Sequence, residues 1–409
     1  MNILYICQHF YFPVDNVGAR NFEFAKRWVQ QGHNVTILTS SARLDKQTLE
    51  SLSASGRFIK HFEVGGVKVA ACQVAYRQEM SALRRCLSFA LFAILSAVAA
   101  LFGKRPDVIY ASSTPLTVGL PALMAKWFRR IPYVFEVRDQ WPESVIQVGI
   151  LKNKLLIKML SGSERCVYKH AAAIIALSEP MAEDVGKVAP PNKPIYSVPN
   201  CCDLDVFGPH VDGSSVRKEN QWDDKVVFLH AGSMGKINSL DFVLYAAEKL
   251  RSYDSIHFVL IGKGYHKRLL EKQVQDLGLN NVSILPFIPK AKLPEYLAAA
   301  DVIMPIIGNY PIIEKHASLN KFFDGLSAGK PMLLNYSGWQ RKLVEDHQAG
   351  RGGQLCNLDE FVSNVLFFYN NSEGLKEYGE NSRKIAEKQF SRDEMAAKAL
   401  KVVLSAKSA

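Results

Sequence analysis

Short apolar runs alternate with longer amphipathic stretches through both halves of this 409-residue chain. The alternation is typical of βαβ units, because parallel strands are buried on both faces while their crossover helices bury only one side. In the first half the apolar runs predict strands at 3–7, 34–39, 67–71, 107–111, 133–137, 173–177 and 195–198. A second series restarts the pattern at 226–231, 257–261, 282–285, 300–305 and 331–335.

The two series predict an α/β protein with two Rossmann-like domains facing across a cleft. Proline, asparagine and glycine at 198–203, followed by a polar stretch at 213–224, suit an interdomain connection. We therefore expect domains at 1–205 and 206–390, with a terminal helix in 391–409. Ligands of such sheets bind beyond the carboxyl ends of the strands, so the cleft is the expected site.

Composition narrows the class of protein. The chain carries 50 Lys and Arg against 39 Asp and Glu, a formal net charge of +11, and 48% of its residues are hydrophobic. These values exclude intrinsic disorder, collagen-like repeats and a polytopic membrane protein. Seven scattered cysteines without metal-ligand spacing indicate reduced thiols in a cytoplasmic protein. The first seven residues predict a buried strand rather than a signal peptide, since they lack a basic segment and a cleavage site.

The positive charge has three possible partners: nucleic acid, anionic lipid and a phosphorylated substrate. No nucleic-acid-binding motif or aromatic–basic repeat accompanies it, so we expect no nucleic-acid partner. Anionic lipid and a phosphorylated substrate remain.

A segment of 18 residues, 86–103, contains no charged side chain and is flanked by Arg84, Arg85, Lys104 and Arg105. Its length is at the lower limit for a membrane-spanning helix. Spanning is not expected, because the strands predicted before and after it must join one sheet. Two interpretations remain: a buried crossover helix, or a helix in the membrane interface whose basic flanks meet anionic headgroups. The charge excess favours the second, which predicts a peripheral protein on an anionic membrane surface.

The segment 316–331 carries the most informative chemistry. Ser318 is a suitable N-cap for a helix that we expect to begin at Leu319. The unpaired N–H groups of Leu319 and Asn320, together with the helix dipole, predict an anion site suited to a diphosphate. Asp324 lies farther along the helix, where its carboxylate can accept hydrogen bonds from ribose hydroxyls. An ordinary capped helix with an aromatic face explains the same pattern without a ligand, and that alternative stays open.

These residues resemble a known family. The pattern Asn-Lys-Phe-Phe-Asp-Gly-Leu-Ser-Ala-Gly-Lys-Pro at 320–331 is similar to the donor-binding helix of retaining glycosyltransferases with the GT-B fold. The family is the large group 1, or family 4, type, which includes bacterial enzymes that assemble O-antigens and capsules. The resemblance continues, in order along the chain, at 13–18, 32–35, 137–144, 176–179, 198–207 and 261–264. Each segment alone is a weak signal, whereas their order together is specific.

The resemblance implies contacts to the donor sugar and nucleoside. In that family two glutamates separated by seven residues frame the nucleotide-sugar. The second position matches Asp324, which by resemblance holds the ribose. The first position falls on His316, and the nearest carboxylate is Glu314, so both are candidates for the sugar contact at the catalytic centre. Gly262, after a predicted strand, would let the base or the diphosphate lie against the backbone.

The resemblance also implies a cationic loop for the diphosphate. Relatives commonly place Arg after the glycine that matches Gly232 and Lys a few residues later, whereas this chain has Ser233 and Asn238 there. Lys236 lies on the same loop and Lys321 on the donor helix, and a lysine on its flexible stem can reach a diphosphate from either place. A solvated loop lysine explains Lys236 equally well.

Candidate acceptor contacts lie in the first half. Arg138 and Asp139 directly follow the strand predicted at 133–137 and are expected to face the cleft. By resemblance Asp139 lies near the acceptor, where it would accept the hydroxyl proton as a general base; a structural Arg138–Asp139 ion pair is the alternative. Gly18 permits a close backbone approach before the first helix, and Arg20 is placed to meet a lipid diphosphate.

The resemblance implies a retaining, metal-independent glycosyltransferase without a cofactor. Its donor would be a UDP-sugar, with a GDP-sugar left open, and an N-acetylated amino sugar is favoured by analogy. The acceptor would be a saccharide on polyprenyl diphosphate at the cytoplasmic face of the inner membrane, in O-antigen or capsule assembly. The terminal helix would pack back on the first domain, as in relatives. Two alternatives remain: a nucleotide-sugar epimerase or phosphorylase of the same fold, and a non-enzymatic basic protein that binds membranes or nucleic acid.

Overall fold

The computed structural model describes residues 1–12, 19–44, 46–51, 54–76 and 80–407. The chain divides into two compact units. Unit 1 comprises Met1–Pro199 together with Asp393–Ala409, and unit 2 comprises Asn200–Arg392.

Unit 1 is built on a sheet of eight strands among its described residues. The strands are β1 (Asn2–Cys7), β2 (Asn34–Ser40), β3 (Ile59–Val64), β4 (Val67–Cys72), β5 (Val108–Ser112), β6 (Tyr133–Val137), β7 (Ala173–Ala176) and β8 (Ile195–Ser197). Their order is β3-β4-β2-β1-β5-β6-β7-β8. The edge strand β3 pairs antiparallel with β4, and the other pairs are parallel. Strands β5 and β6 are buried at every position, as their continuous apolar sequence requires.

The helices of unit 1 connect these strands. They are α1 (Arg20–Gln30), α2 (Lys46–Ser51), α3 (Ala82–Phe102), α4 (Gly119–Arg129), α5 (Glu143–Gln147), α6 (Lys154–His170) and α7 (Glu179–Val188). Helix α1 buries Phe22, Ala25 and Trp28, which lie on one helical face.

Unit 2 has a parallel sheet of six strands in its described part. The strands are β9 (Val226–Ser233), β10 (Ile256–Lys263), β11 (Val282–Leu285), β12 (Val302–Ile303), β13 (Met332–Leu334) and β14 (Gly350–Gly352), in the order β11-β10-β9-β12-β13-β14. The helices are α8 (Ser214–Glu219), α9 (Asp241–Lys249), α10 (Lys267–Asp276), α11 (Leu293–Ala299), α12 (Pro311–His316), α13 (Asn320–Ser327), α14 (Trp339–Asp346), α15 (Leu358–Asn370) and α16 (Leu375–Gln389).

The last helix, α17 (Arg392–Lys407), packs on unit 1. The indole N–H of Trp28 donates to the carbonyl of Ala396 at 2.9 Å, in a buried contact. At the other end of the helix, Lys407 lies 3.2 Å from the carboxylate of Asp107. These contacts attach the end of the chain to the domain in which the chain begins.

The predicted fold, two Rossmann-like α/β domains, is confirmed. The structure adds two strands that the apolar runs did not predict, β3 and β14. The polar stretch at 213–224 is not a linker, because it contains α8 and belongs to unit 2. The division between units falls after Pro199 rather than at 205, since Asp203 already forms ion pairs inside unit 2, with Arg392 at 2.6 Å and Lys290 at 3.5 Å.

Helix α3 contains the apolar segment expected at 86–103. Among the described residues it is the one helix long and apolar enough to cross a membrane, over Leu83–Phe102, by length and composition alone. A third of that window is buried inside the protein, so α3 is neither a fully buried crossover helix nor a free one.

Candidate active site

Glycines at the carboxyl ends of β9 and β10 face backbone atoms directly in unit 2. Gly262 pairs with Gly232 across the two strands, and a Cβ on Gly262 would lie 1.8 Å from the carbonyl oxygen of Gly232. A Cβ on Gly264 would likewise lie 2.2 Å from the carbonyl oxygen of Met234. Glycine is therefore required at both positions by the close approach of two backbones. The strand ends present backbone rather than side chains, which suits a nucleotide site at the carboxyl edge of a parallel sheet.

The ammonium of Lys321 reaches back from α13 to this strand end. Its Nζ donates to Asn238 Oδ1 and to the carbonyl oxygen of Ile306, both at 3.0 Å, and lies 3.5 Å from Nε2 of His230. A Cβ on Gly232 would lie 3.5 Å from the same Nζ. Every partner is uncharged: within the described residues Lys321 has no carboxylate near it. The site therefore holds a cation whose counter-charge unit 2 does not itself provide.

Burial controls the protonation of Lys321 and His230. Loss of hydration lowers the pKa of Lys321 to about 7. The pKa of His230 lies well below its usual value, because the ring is fully buried and because Lys321 stands beside it. Nδ1 of His230 lies 2.9 Å from the carbonyl oxygen of Met304 and 3.3 Å from the backbone nitrogen of Ile306; the tautomer that donates to Met304 leaves Nε2 as an acceptor toward Lys321. A neutral imidazole thus helps to orient the ammonium.

Helix α13 begins one residue later than expected, and Ser318 is not its N-cap. The hydroxyl oxygen of Ser318 accepts instead from the backbone N–H of Asn200 at 3.0 Å, and the Asn200 side chain donates to the carbonyl of Ser318 at 2.5 Å. Leu319 takes the cap position without a side-chain hydrogen bond. The N–H groups of Asn320 and Lys321 have no acceptor in the described part of the chain, so the start of α13 remains open to an anion.

Asp324 lies one turn farther along α13. Its carboxyl group makes no hydrogen bond within the described residues. Burial raises the pKa of this carboxyl to about 6, with the cations Lys290 and Arg392 acting against burial and Asp203 acting with it. Among the described ion pairs, Lys290 and Arg392 pair with Asp203 and not with Asp324. Above a pH of about 6 Asp324 is therefore a carboxylate, and both of its oxygens are available to a ligand.

The two candidates for the sugar contact, Glu314 and His316, lie at the end of α12. Oε1 of Glu314 accepts from the backbone N–H of Ser337 at 2.9 Å and from its hydroxyl at 2.6 Å. Glu314 therefore ties α12 to the loop that precedes α14. The side chain of His316 is buried and already has a partner. Neither is placed by these contacts against the loop of Gly232, and their sugar contact stays a prediction.

The loop after β9 carries the remaining donor candidates. The amide of Asn238 donates to the hydroxyl of Ser233 at 2.8 Å, which holds the loop closed while leaving Ser233 exposed. Lys236 is exposed and its ammonium has no partner among the described residues. Lys236 is thus free to move toward a bound anion, whereas Lys321 is fixed.

In unit 1 the acceptor candidates follow β6. Asp139 is exposed, and its Oδ2 accepts from the hydroxyl of Thr114 at 2.9 Å. The predicted alternative, an Arg138–Asp139 ion pair, is absent from the described contacts. The backbone N–H of Arg138 donates to the hydroxyl of Ser113 at 3.0 Å, and its guanidinium has no partner in the part of the chain that the structure describes. Both side chains remain available to a ligand at the carboxyl edge of this sheet.

Arg20 does not serve the role expected of it. Its guanidinium is buried against the carboxylate of Glu136 at 2.9 Å and donates to the carbonyls of Val198 and Pro199 at 2.9 and 2.5 Å. Burial alone would raise the pKa of Glu136, but Arg20, Arg138 and two hydroxyl donors outweigh it and hold the pKa below its usual value. The pair is structural and has no free donor for a lipid diphosphate. Gly18, the other acceptor candidate, lies outside the described residues.

Two family models match this chain one after the other. The model of the glycosyl transferase 4-like domain matches residues 17–201, and the model of glycosyl transferases group 1 matches residues 214–385. The chain belongs to the group 1 glycosyltransferases with the GT-B fold.

Curated relatives of this glycosyltransferase are distant in sequence. It is 23% identical over 294 residues to the putative colanic acid biosynthesis glycosyl transferase WcaI of Escherichia coli K12, covering 70% of this chain and 71% of that protein. It is 21% identical over 234 residues to the probable glycosyltransferase WbjE of Pseudomonas aeruginosa, covering 56% of this chain and 57% of that protein.

Solved structures share the fold of this glycosyltransferase. HepE of Anabaena, solved in complex with UDP-glucose, matches with a TM-score of 0.72 and 16% identity over 99% of this chain and 100% of HepE. WaaG, a glycosyltransferase involved in lipopolysaccharide biosynthesis, matches with a TM-score of 0.68 and 16% identity over 98% of this chain and 99% of WaaG. At such identities the likeness concerns the fold alone.

Sequence reasoning about this glycosyltransferase missed His230 and Asn200. His230 is a polar residue inside the apolar strand β9, and that interruption was the available signal. Asn200 acts on Ser318 across 118 positions, and nothing in the local pattern of either residue indicates the contact. No group of three or more His, Cys, Asp or Glu side chains that could hold a metal occurs among the described residues.

Proposed function

We propose that this enzyme transfers a sugar, with retention, from a UDP-sugar to a saccharide carried on polyprenyl diphosphate during O-antigen or capsule assembly. The names of two relatives support the setting, since WcaI is named for colanic acid biosynthesis and WaaG for lipopolysaccharide biosynthesis. HepE was solved with UDP-glucose, which favours UDP over GDP as the nucleotide. An N-acetylated amino sugar is favoured by analogy with polysaccharide-assembly enzymes, without a metal or a cofactor.

The observation that carries the proposal is the lone ammonium of Lys321 at the end of β9. A buried charge with only neutral partners is costly unless an opposite charge completes the site. The diphosphate of a nucleotide-sugar supplies that charge, and the open N–H groups at the start of α13 lie on the same helix as Lys321. As the glycosidic bond to the diphosphate breaks, negative charge grows on the leaving oxygen, and a fixed cation stabilises it without reorganising.

The other candidate side chains contact the ribose, the diphosphate and the acceptor. Asp324 accepts hydrogen bonds from the ribose hydroxyls, because its carboxylate has both oxygens unpaired. Lys236 joins the diphosphate from the exposed loop. Arg138 and Asp139 contact the acceptor, with Asp139 receiving the proton of the attacking hydroxyl. Retention implies that this hydroxyl attacks the face from which the diphosphate departs.

Thermal stabilisation by a panel of UDP- and GDP-sugars tests the donor. The correct donor binds the folded state and raises its melting temperature, by an amount that grows with the logarithm of the ratio of its concentration to Kd. Incubation of that donor without acceptor supplies the control, because an epimerase converts it to an isomer whereas a transferase returns it unchanged or hydrolysed. Conversion to an isomer, or stabilisation by no sugar nucleotide, would contradict the proposal.

The proposal also includes peripheral attachment to the cytoplasmic face of the inner membrane through α3. Its exposed apolar side chains recur at helical spacing down one face. We call this face the α3 stripe, which consists of Leu83, Leu87, Leu91, Ile94, Val98 and Phe102. Arg84 and Arg85 lie at one end of α3, and Lys104 and Arg105 follow the other. An apolar stripe between basic ends fits a helix lying in the interface of an anionic bilayer.

Vesicle sedimentation tests the attachment. Changing Leu87, Leu91, Ile94 and Val98 together to glutamine should reduce pelleting with phosphatidylglycerol vesicles to background. The reason is that each apolar side chain fully buried in the bilayer contributes up to about 1.5–3 kcal/mol to the free energy of binding, and glutamine removes that contribution. The control changes Leu269 and Tyr245, exposed apolar residues of unit 2, to glutamine in the same way. It should pellet like the wild type. Equal pelleting of the stripe variant would refute the interfacial role of α3.

A further inference from the structure

A groove of about 430 Å³ opens in unit 1 at the edge of the sheet opposite to Arg138 and Asp139. It lies where β1 and β2 begin, beside the last turns of α3. Its floor is apolar and includes Leu4 and Ala70 from the sheet and Ala99 from α3. The volume lies within the range of small-molecule sites, and α3 leaves this part of the sheet face uncovered.

Three cations form the rim of this groove. Lys68 stands on β4, and Lys104 and Arg105 follow α3 directly. All three are exposed, and none has an ion-pair partner in the part of the chain that the structure describes. Glu63, opposite Lys68 in the antiparallel pair, is the nearest counter-charge in register and makes no described ion pair with it. The rim therefore keeps an excess of positive charge.

The end of α3 does not cancel this charge. The guanidinium of Arg129 donates to the carbonyls of Ala100 and Gly103 at 2.8 and 3.0 Å. These are carbonyls that a helix end leaves without intrahelical partners and that carry the negative end of its dipole. Because Arg129 already satisfies them, Lys104 and Arg105 remain available to an external anion.

The groove adjoins the α3 stripe. Ala99 and Gly103 line the groove, while their neighbours Val98 and Phe102 belong to the stripe and are 48% and 83% exposed. The groove and the stripe therefore lie on neighbouring residues at the end of α3, so a lipid that surrounds the stripe is close to the groove. A soluble phosphate compound would leave the apolar floor in contact with water.

We infer that this groove binds one anionic phospholipid, with its phosphate at Lys68, Lys104 and Arg105 and an acyl chain over Leu4, Ala70 and Ala99. The inference deepens the proposed membrane attachment and rests on it for its biological setting. The bound lipid would fix the orientation of unit 1 on the bilayer, which insertion of a single helix leaves free to rotate. The site is separate from the donor residues, all of which belong to unit 2.

A short-chain lipid below its micelle concentration tests the groove without a membrane. Calorimetry with monomeric dihexanoyl phosphatidylglycerol should give one saturable site. Dihexanoyl phosphatidylcholine, which keeps the chains but not the net charge, should bind at least tenfold more weakly. Glycerol 3-phosphate, which keeps the charge but not the chains, should not saturate. Binding of glycerol 3-phosphate as tight as that of the lipid would overturn the inference in favour of a soluble anion.

Two variants separate the floor from the rim. Ala99→Phe fills the floor without changing charge, and the double change Lys104→Glu with Arg105→Glu reverses the rim. Each should weaken phosphatidylglycerol binding at least tenfold. The control, Lys152→Glu with Lys154→Glu, makes the same charge change at exposed residues of unit 1 outside the groove lining and should leave binding unchanged. Melting temperature and UDP affinity verify that all variants fold.

The outcome is distinguishable from failure of the membrane proposal. The stripe variant with four glutamines should lose vesicle pelleting but keep its site for the monomeric lipid. If both groove variants bind the lipid like the wild type, or if the charge control loses as much affinity as the rim variant, the groove is not the site.

Discussion

Removal of the ammonium of Lys321 is the most direct test of the donor site. Lys321→Met keeps an unbranched stem of similar length and deletes the charge. A hydrogen bond to a charged group contributes about 1.5–3 kcal/mol, and 1.4 kcal/mol corresponds to tenfold in affinity. We therefore expect UDP to bind the variant about 10- to 100-fold more weakly. The melting temperature of the free variant should stay close to that of the wild type, since the lost hydrogen bonds are offset by removal of a buried charge.

The affinity for UDP should fall as the pH rises through the pKa of Lys321. The pKa of Lys321 is lowered to about 7 by burial, so below pH 7 the free protein carries the ammonium and above it loses the proton. Bound diphosphate favours the ammonium and raises that pKa, so binding takes up a proton above pH 7. At pH 8 only about a tenth of the free protein is charged, and affinity should be about tenfold lower than at pH 6.5. The second ionisation of a phosphate, near pH 6, lies below this range.

Calorimetry measures this proton directly. Titration of UDP at pH 8 in two buffers of different ionisation enthalpy should reveal nearly one proton taken up by the wild type and none by Lys321→Met. Lys236→Met is the matched control, because Lys236 is exposed on the same loop: it should weaken binding modestly and keep the proton uptake. Wild-type protein that takes up no proton at pH 8, together with unchanged affinity in Lys321→Met, would refute the role of this lysine.

Three further predictions address other parts of the structure. Asp324→Asn should weaken UDP binding about tenfold at pH 7.5, where the carboxyl, with a pKa of about 6, is ionised. The binding of 2′,3′-dideoxy-UDP should scarcely change, because this nucleotide lacks the ribose hydroxyls. Equal losses for both nucleotides in calorimetry would contradict the ribose contact. Gly262→Ala places a Cβ 1.8 Å from a backbone oxygen, so it should lower the melting temperature and abolish UDP binding, and a normal melting curve would show the strand pairing to be wrong. Glu136→Gln leaves the guanidinium of Arg20 buried without its anion and should cost about 3–5 kcal/mol in urea unfolding; a loss of transfer activity without loss of stability would instead restore the acceptor role of Arg20.

The fold followed from the sequence because parallel strands covered on both faces need continuous apolar runs. β5 and β6 are such runs, and both were predicted close to their observed ends. β3 and β14 were not, since β3 is an edge strand with polar and charged residues and β14 has the sequence Gly-Arg-Gly. Their strand character comes from pairing with a neighbour rather than from hydrophobicity.

For the candidate site, the sequence predicted only features that are local in the chain. The candidate donor helix α13 and the glycines at the ends of β9 and β10 are visible in short stretches of sequence. The partner of Ser318 is not, because Asn200 lies 118 positions away and takes the hydroxyl that local rules assign to the helix cap. The direction of the Lys321 side chain is equally non-local, since its acceptors Asn238 and Ile306 come from two other loops.

A comparison of Arg20, which is buried, with Lys321, which is partly buried, shows which kind of burial indicates function. Arg20 and Lys321 both lose hydration at the carboxyl edge of a Rossmann-like sheet. The sequence analysis predicted a ligand for each of them. Arg20 meets the carboxylate of Glu136, so its charge is balanced when the protein folds and nothing remains for a substrate. Lys321 meets two oxygens and a nitrogen that carry no charge, so its electrostatic cost persists until an anion arrives. A protein gains nothing in stability from such a group. In the proposed donor site a bound diphosphate accounts for this lysine, and the proton uptake expected at pH 8 would measure how completely that diphosphate balances the charge.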